Sequence, residues 1–229
     1  MIHERYIRPT FYLDADHPEV AAFARDASGG TEAPARKRAV NLYYAVRDGF
    51  RYNPYAFSLD RRKFKASFTL AAGEGFCVQK AILLAAAARA VSLPARLGFA
   101  NVRNHLATER LKALMGTDLF VFHGYTEMMV DGRWVKATPA FNLSLCEKFD
   151  TRPLDFDGVT DSIFHPYDNR GRQHMEYVHD YGAFDDFPYD KMIEESRRYY
   201  PAWFHDENVN FDHIGGDFEK EREDDRRRG

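Results

Sequence analysis

Residues 73–90 read GEGFCVQKAILLAAAARA, a glycine-rich approach to one cysteine followed by an alanine- and leucine-rich run. The run predicts a helix beginning around Gly75–Cys77. The stretch VSLPAR (91–96) ends it, because the proline ring of Pro94 cannot continue a helix. A buried thiol is ordinarily a small hydrophobe with no special place. Cys77, however, stands where a loop becomes a helix, and there the unpaired amides and the dipole favour negative charge.

Outward from this segment, 17–27 and 34–50 (PARKRAVNLYYAVRDGF) carry helical spacing, with Ala39, Leu42, Tyr43 and Val46 on one face. Residues 51–60 form a turn-rich loop around Asn53-Pro54. On the other side, 95–102 (ARLGFANV) predicts a strand and 106–115 a short helix. LFVFHGYTEMMV (119–130) and RWVKATPAFN (133–142) predict a hairpin, because Asp131-Gly132 separates two β-rich runs. From 143 the chain is aromatic, acidic and turn-rich, and is expected to wrap the same core, with a final helix within 190–204. Residues 216–229 are expected to form a flexible charged tail. Helices, then a central cysteine-bearing helix, then antiparallel strands predict an α+β fold with that helix packed on the sheet.

Composition narrows the function. Of 229 residues, 45% are apolar and 15% aromatic, enough for a large core, and the net charge of −3 gives no electrostatic case for nucleic acid. No apolar run is long enough to span a membrane. The N-terminus lacks the apolar stretch of a secretory signal, so a cytoplasmic location with free Cys77 and Cys146 is expected. No CxxC, HExxH or Walker pattern occurs, so no metal or cofactor is called for. His165, His174 and His179, with Asp168, Glu176 and Asp180, match no common zinc spacing and read as surface or aromatic packing.

A thiol attacks as thiolate, and an ordinary pKa near 8.5 leaves about a few per cent ionised at neutral pH. The helix start and a neighbouring imidazolium would both lower that value. His123 lies in a predicted strand 46 residues beyond Cys77. With Asp131-Gly132 as the loop, Val130 faces Arg133 and Tyr125 faces Thr138. His123, Tyr125 and Thr138 therefore point to one side, with Thr138 the diagonal neighbour of His123. A base whose ring is held by a polar group on the adjacent strand suits nucleophilic catalysis. His105, after the first strand, competes for the base role without an evident orienting partner. Cys146 has neither glycine neighbours nor a helix start and reads as structural.

GFCVQKAILLAAAARAVSLPARLGF followed by FHGYTEMMVDGRWVKATPAFN resembles the core of the transglutaminase-like superfamily, in its small bacterial type. The resemblance covers about 70–142 and implies a papain-like fold. It implies one such domain over 1–215, with 143–215 as an extension. It also implies Cys77 as nucleophile and His123 as general base and acid. The chain departs from the family at one position. Where the family carries an aspartate before a proline, this sequence has Thr138, which can orient an imidazole but lends it no charge. Asn142 is an alternative orienter. The backbone N–H of Cys77 is the expected oxyanion donor, with Tyr52, Asn53 or Tyr55 available for a second.

These features predict a cysteine-dependent acyl-transfer enzyme acting on peptide-like amides through a thioester. Water as acceptor makes it a peptidase or amidase, the favoured case, and an amine makes it a transglutaminase. The alternative is a binding or scaffolding module on the same fold whose catalysis has decayed.

Overall fold

The computed structural model describes residues 4–30, 32–105, 107–205, 216, 218, 220 and 221. In chain order come α1 (Pro18–Ser28), α2 (Ala35–Gly49), β1 (Arg51–Tyr52), α3 (Ala66–Ala72), β2 (Glu74–Gly75) and α4 (Cys77–Ala90). Then follow β3 (Ala95–Asn104), α5 (Glu109–Met115), β4 (Leu119–Val130), β5 (Arg133–Ala137), α6 (Leu143–Phe149), β6 (Met175–Phe184), α7 (Tyr189–Tyr199) and α8 (Ala202–His205).

Helix α4 has no polar stripe, and all its residues from Cys77 to Arg89 are buried. A helix apolar all round must be covered all round. Here α1, α2 and α3 pack on one side, and β3 and β4 of a four-stranded antiparallel sheet pack on the other. The sheet order is β5-β4-β3-β6. Where α4 begins, helix and sheet come so close that a Cβ on Gly124 would lie 2.9 Å from the Val78 Cα. Glycine is required there for lack of room.

The hairpin forms in the predicted register, Val130 opposite Arg133 and Thr126 opposite Ala137, with Asp131 at φ 48° and Gly132 at φ 81°. Both values belong to the left-handed region that a two-residue hairpin turn demands. Strand β5 stops at Ala137 rather than running to 142. Beyond it Thr138 donates its amide to the Ser162 carbonyl (3.1 Å), and Pro139 has no N–H to continue a ladder.

Several elements lie outside the sequence-based expectations, among them the short strands β1 and β2 and helix α6. Helix α3 was hidden in a segment with no clear period. Strand β6 closes the sheet along β3, and its residues are mostly exposed, so no alternation of apolar residues marks it. The segment after 143 does pack into the same core, through Leu145, Phe149, Phe156, Phe164 and Phe187. Most of the expected tail lies outside the described residues; of those described, Phe218 is buried against Phe149 (4.9 Å between ring centres) and Tyr52 (5.9 Å). An aromatic ring in an otherwise charged run finds apolar surface to cover.

Candidate active site

Cys77 is the first residue of α4 and only 6% exposed. Gln79 fixes the start of this helix. Its Oε1 accepts from the Phe76 amide (3.2 Å), and its Nε2 donates to the Lys63 carbonyl (2.8 Å). The backbone amides of Gly124, Val78 and Cys77 itself point at the sulfur and favour its anion. Burial outweighs them and pushes the thiol up to about 11. The expected lowering at the helix start is therefore reversed. The dipole is present, but water that would solvate a thiolate is excluded.

His123 follows a kink in β4. Phe122 has φ 60°, and the pairing of β3 with β4 slips between Ala100 and Val102. The amides freed by this bulge are taken by side chains. Asn101 Oδ1 accepts from Phe122 (3.0 Å), while the Tyr200 hydroxyl accepts from Val121 (2.7 Å) and donates to the Leu119 carbonyl (2.8 Å). Bulges re-aim the side chain that follows them. The His123 ring lies 4.8 Å from the Phe164 ring and is 4% exposed. Its Nε2 is buried without a partner. Burial alone drives the imidazole down to about 3, so it rests neutral.

The fold thus brings positions 77 and 123 together, since the sulfur sits against the amide that immediately follows His123. The two side chains line neighbouring hollows that share Tyr52 and Phe120 as walls.

The expected hydrogen bond from the His123 imidazole N–H to Thr138 is not made. Thr138 Oγ1 is buried and unpartnered, as is His123 Nε2. The hairpin ladder ends one residue earlier, and the Thr138 amide goes to Ser162 instead. Asn142 is occupied elsewhere, accepting from the Tyr52 amide (3.0 Å) and donating to Ser144 Oγ (2.7 Å). His105 lies 3.5 Å from the Glu176 carboxylate on the β3–β6 side of the sheet.

Of the three side chains weighed as a second oxyanion donor, two are engaged. Asn53 caps Tyr55 (3.0 Å) and donates to Glu74 (2.8 Å), and the Tyr55 hydroxyl bonds Glu221. Tyr52 is buried and close enough to Cys77 for the sulfur's charge to help hold the phenol well above its ordinary value, after burial. Cys146 is buried in α6, and burial pushes its thiol up to about 11. His174 packs on Phe164 and Phe141, and Asp168 is held by Arg172 (2.6 Å). Among the described residues no group of three His, Cys, Asp or Glu side chains could hold a metal ion. No described helix is long and apolar enough to cross a membrane.

Three features here escaped the sequence. Asn104 is a polar side chain in the His123 hollow, and only the β3 register brings it there. Tyr200 reaches the site from just beyond the end of α7, which no local pattern links to β4. Lys80, one turn beyond Cys77, is fully buried and donates to the carbonyls of Arg47 (2.9 Å), Phe50 (2.7 Å) and Ala140 (2.9 Å). It ties the end of α2 to the loop after Thr138. Burial lowers it to about 7.

A family model described as the transglutaminase-like superfamily matches residues 21–139. Among solved structures, a Cytophaga hutchinsonii protein named as a proposed cysteine protease is similar at 22% identity and a TM-score of 0.44. That match covers 58% of this chain and 40% of the other. No curated protein matches the chain at a significant level.

Proposed function

We propose that this chain, which belongs to the transglutaminase-like superfamily, is a cysteine-dependent acyl-transfer enzyme that cleaves peptide-like amides. The observation that carries the reading is the Cys77 sulfur at the start of buried α4, seated against the amide beside His123.

The resting pair is a thiol and a neutral imidazole. Proton transfer therefore accompanies attack instead of preceding it. As Sγ bonds to the substrate carbonyl carbon, its proton passes to His123 and the carbonyl π pair moves to oxygen. The Cys77 backbone N–H and the Tyr52 phenol are the proposed donors to that oxyanion. Collapse expels the amine, which takes the proton back from His123 and leaves a thioester. Water, deprotonated by the same imidazole, releases the acid and restores the thiol. Thr138 is the proposed orienter of His123, its free hydroxyl and the free Nε2 pairing when substrate closes the site.

A second reading, a binding module with decayed catalysis, is favoured by one observation: the base carries no carboxylate partner, and its orienting bond is open. One experiment separates them. A peptidyl vinyl sulfone at pH 7.5 is expected to modify Cys77 and not Cys146, as mapped by tandem mass spectrometry. His123→Ala is expected to slow the modification at least tenfold, by about the loss of one general base. Modification of Cys77 at an unchanged rate in the variant, or none at all, leaves only the module.

A further inference from the structure

The Cys77 wall belongs to a chamber that the acyl-transfer reading alone does not explain. Phe57, Phe76, Leu114, Phe120, Met192 and Trp203 line it, together with Tyr52 and Tyr200. No charged side chain occurs among its described lining residues. Two of its polar tips are spent on the protein itself. The Tyr200 hydroxyl serves the β4 backbone, and Trp203 Nε1 donates to the Leu114 carbonyl (2.8 Å). The chamber is partly open, with a cavity volume of about 60 Å³. A mostly apolar hollow with few hydrogen-bonding groups holds water poorly and accepts a neutral hydrocarbon group well. A charge placed in it would lose its hydration with nothing in return.

We propose that this chamber selects the substrate: the residue whose carbonyl Cys77 attacks carries an uncharged aliphatic side chain. The inference rests on the acyl-transfer reading for its chemistry, while the chamber itself does not. Its walls come from α5, α7 and α8 as well as from α4 and β4. Selection is thus assigned to the segments that flank the Cys–His core. Trp203 and Met192 are two of its walls.

The test is a panel of N-acetyl-dipeptidyl aminocoumarin amides differing only in the residue attacked: leucine, glycine, tryptophan, aspartate or lysine. The leucine amide is expected to exceed glycine at least tenfold in kcat/KM, and to exceed aspartate and lysine at least a hundredfold. Trp203→Ala, which enlarges the chamber, is expected to raise the tryptophan-to-leucine ratio at least tenfold. Met192→Ala repeats the comparison on a different helix. Equal or better turnover of the charged amides overturns the inference and leaves the acyl-transfer reading standing. So do unchanged ratios in both variants.

Turnover of no panel member fails the acyl-transfer reading instead, and binding then decides the chamber. In a Trp134→Phe background Trp203 is the sole tryptophan, and its fluorescence reports titration with 4-methylpentanamide. Saturable quenching by that amide, but not by the charged 5-aminopentanamide, supports the chamber as an apolar site. Equal response to both, or to neither, overturns it.

Discussion

His123 and Cys77 rest uncharged for one reason, the exclusion of water around both. The imidazole shows the consequence for stability. Below its ordinary value near 6.5 the unfolded chain binds a proton that the folded chain refuses down to about 3. Stability therefore falls as pH drops through that window and levels off beneath it. At pH 5 this costs about 2 kcal/mol. Urea unfolding at pH 7.5 and pH 5 should show a larger acid loss in the wild type than in His123→Gln; equal losses would exclude a buried neutral imidazole. The same paired positions show how far residues can be read from sequence. A glycine-flanked helix start singled out Cys77, and an imidazole in an apolar strand singled out His123. Both signals are local. The partner of His123 is not local. Thr138 shares its parity, yet hairpin pairing stops at Ala137 because Ser162, from a segment with no strand pattern, captures the next amide.

Among the elements, β4 carries the most constraint, since it holds His123 and also touches the start of α4. Thr126 Oγ1 donates to the Ala81 carbonyl (2.8 Å), and Gly124 meets Val78. Gly124→Ala puts a Cβ 2.9 Å from a backbone atom that cannot swing aside. The expected cost is about 1–3 kcal/mol of stability, read from the urea midpoint. Labelling of Cys77 by the vinyl sulfone should slow with it, because the amide that faces the sulfur moves. An unchanged labelling rate would mean that this contact does not position the thiol. The hairpin was legible because Asp131-Gly132 states its own turn geometry. Strand β6 was not: an edge strand open to solvent keeps no apolar face, and only pairing with β3 makes it a strand.

At the scale of the molecule, described residues after 143 pack their rings on the helices and loops that precede them. Phe156 packs 5.0 Å from Tyr43, Phe187 sits 5.1 Å from Phe64, and Phe218 covers the Tyr52–Tyr55 wall. Deleting 216–229 exposes that wall and forfeits the burial of Phe218. The expected loss is about 1.5–3 kcal/mol, measured by chemical unfolding, and a stability unchanged within a few tenths would show that the ring contributes nothing. The chamber beside Cys77 joins the middle of the chain to its far end, Leu114 on one wall and Trp203 on another, with that indole already anchored to the Leu114 carbonyl. A guest seated there would act as mortar between bricks laid at different times along the polypeptide. Its arrival should quiet amide hydrogen exchange in α5, α7 and α8 together, and blunt proteolytic nicking of the C-terminal third, before any bond in the guest is broken.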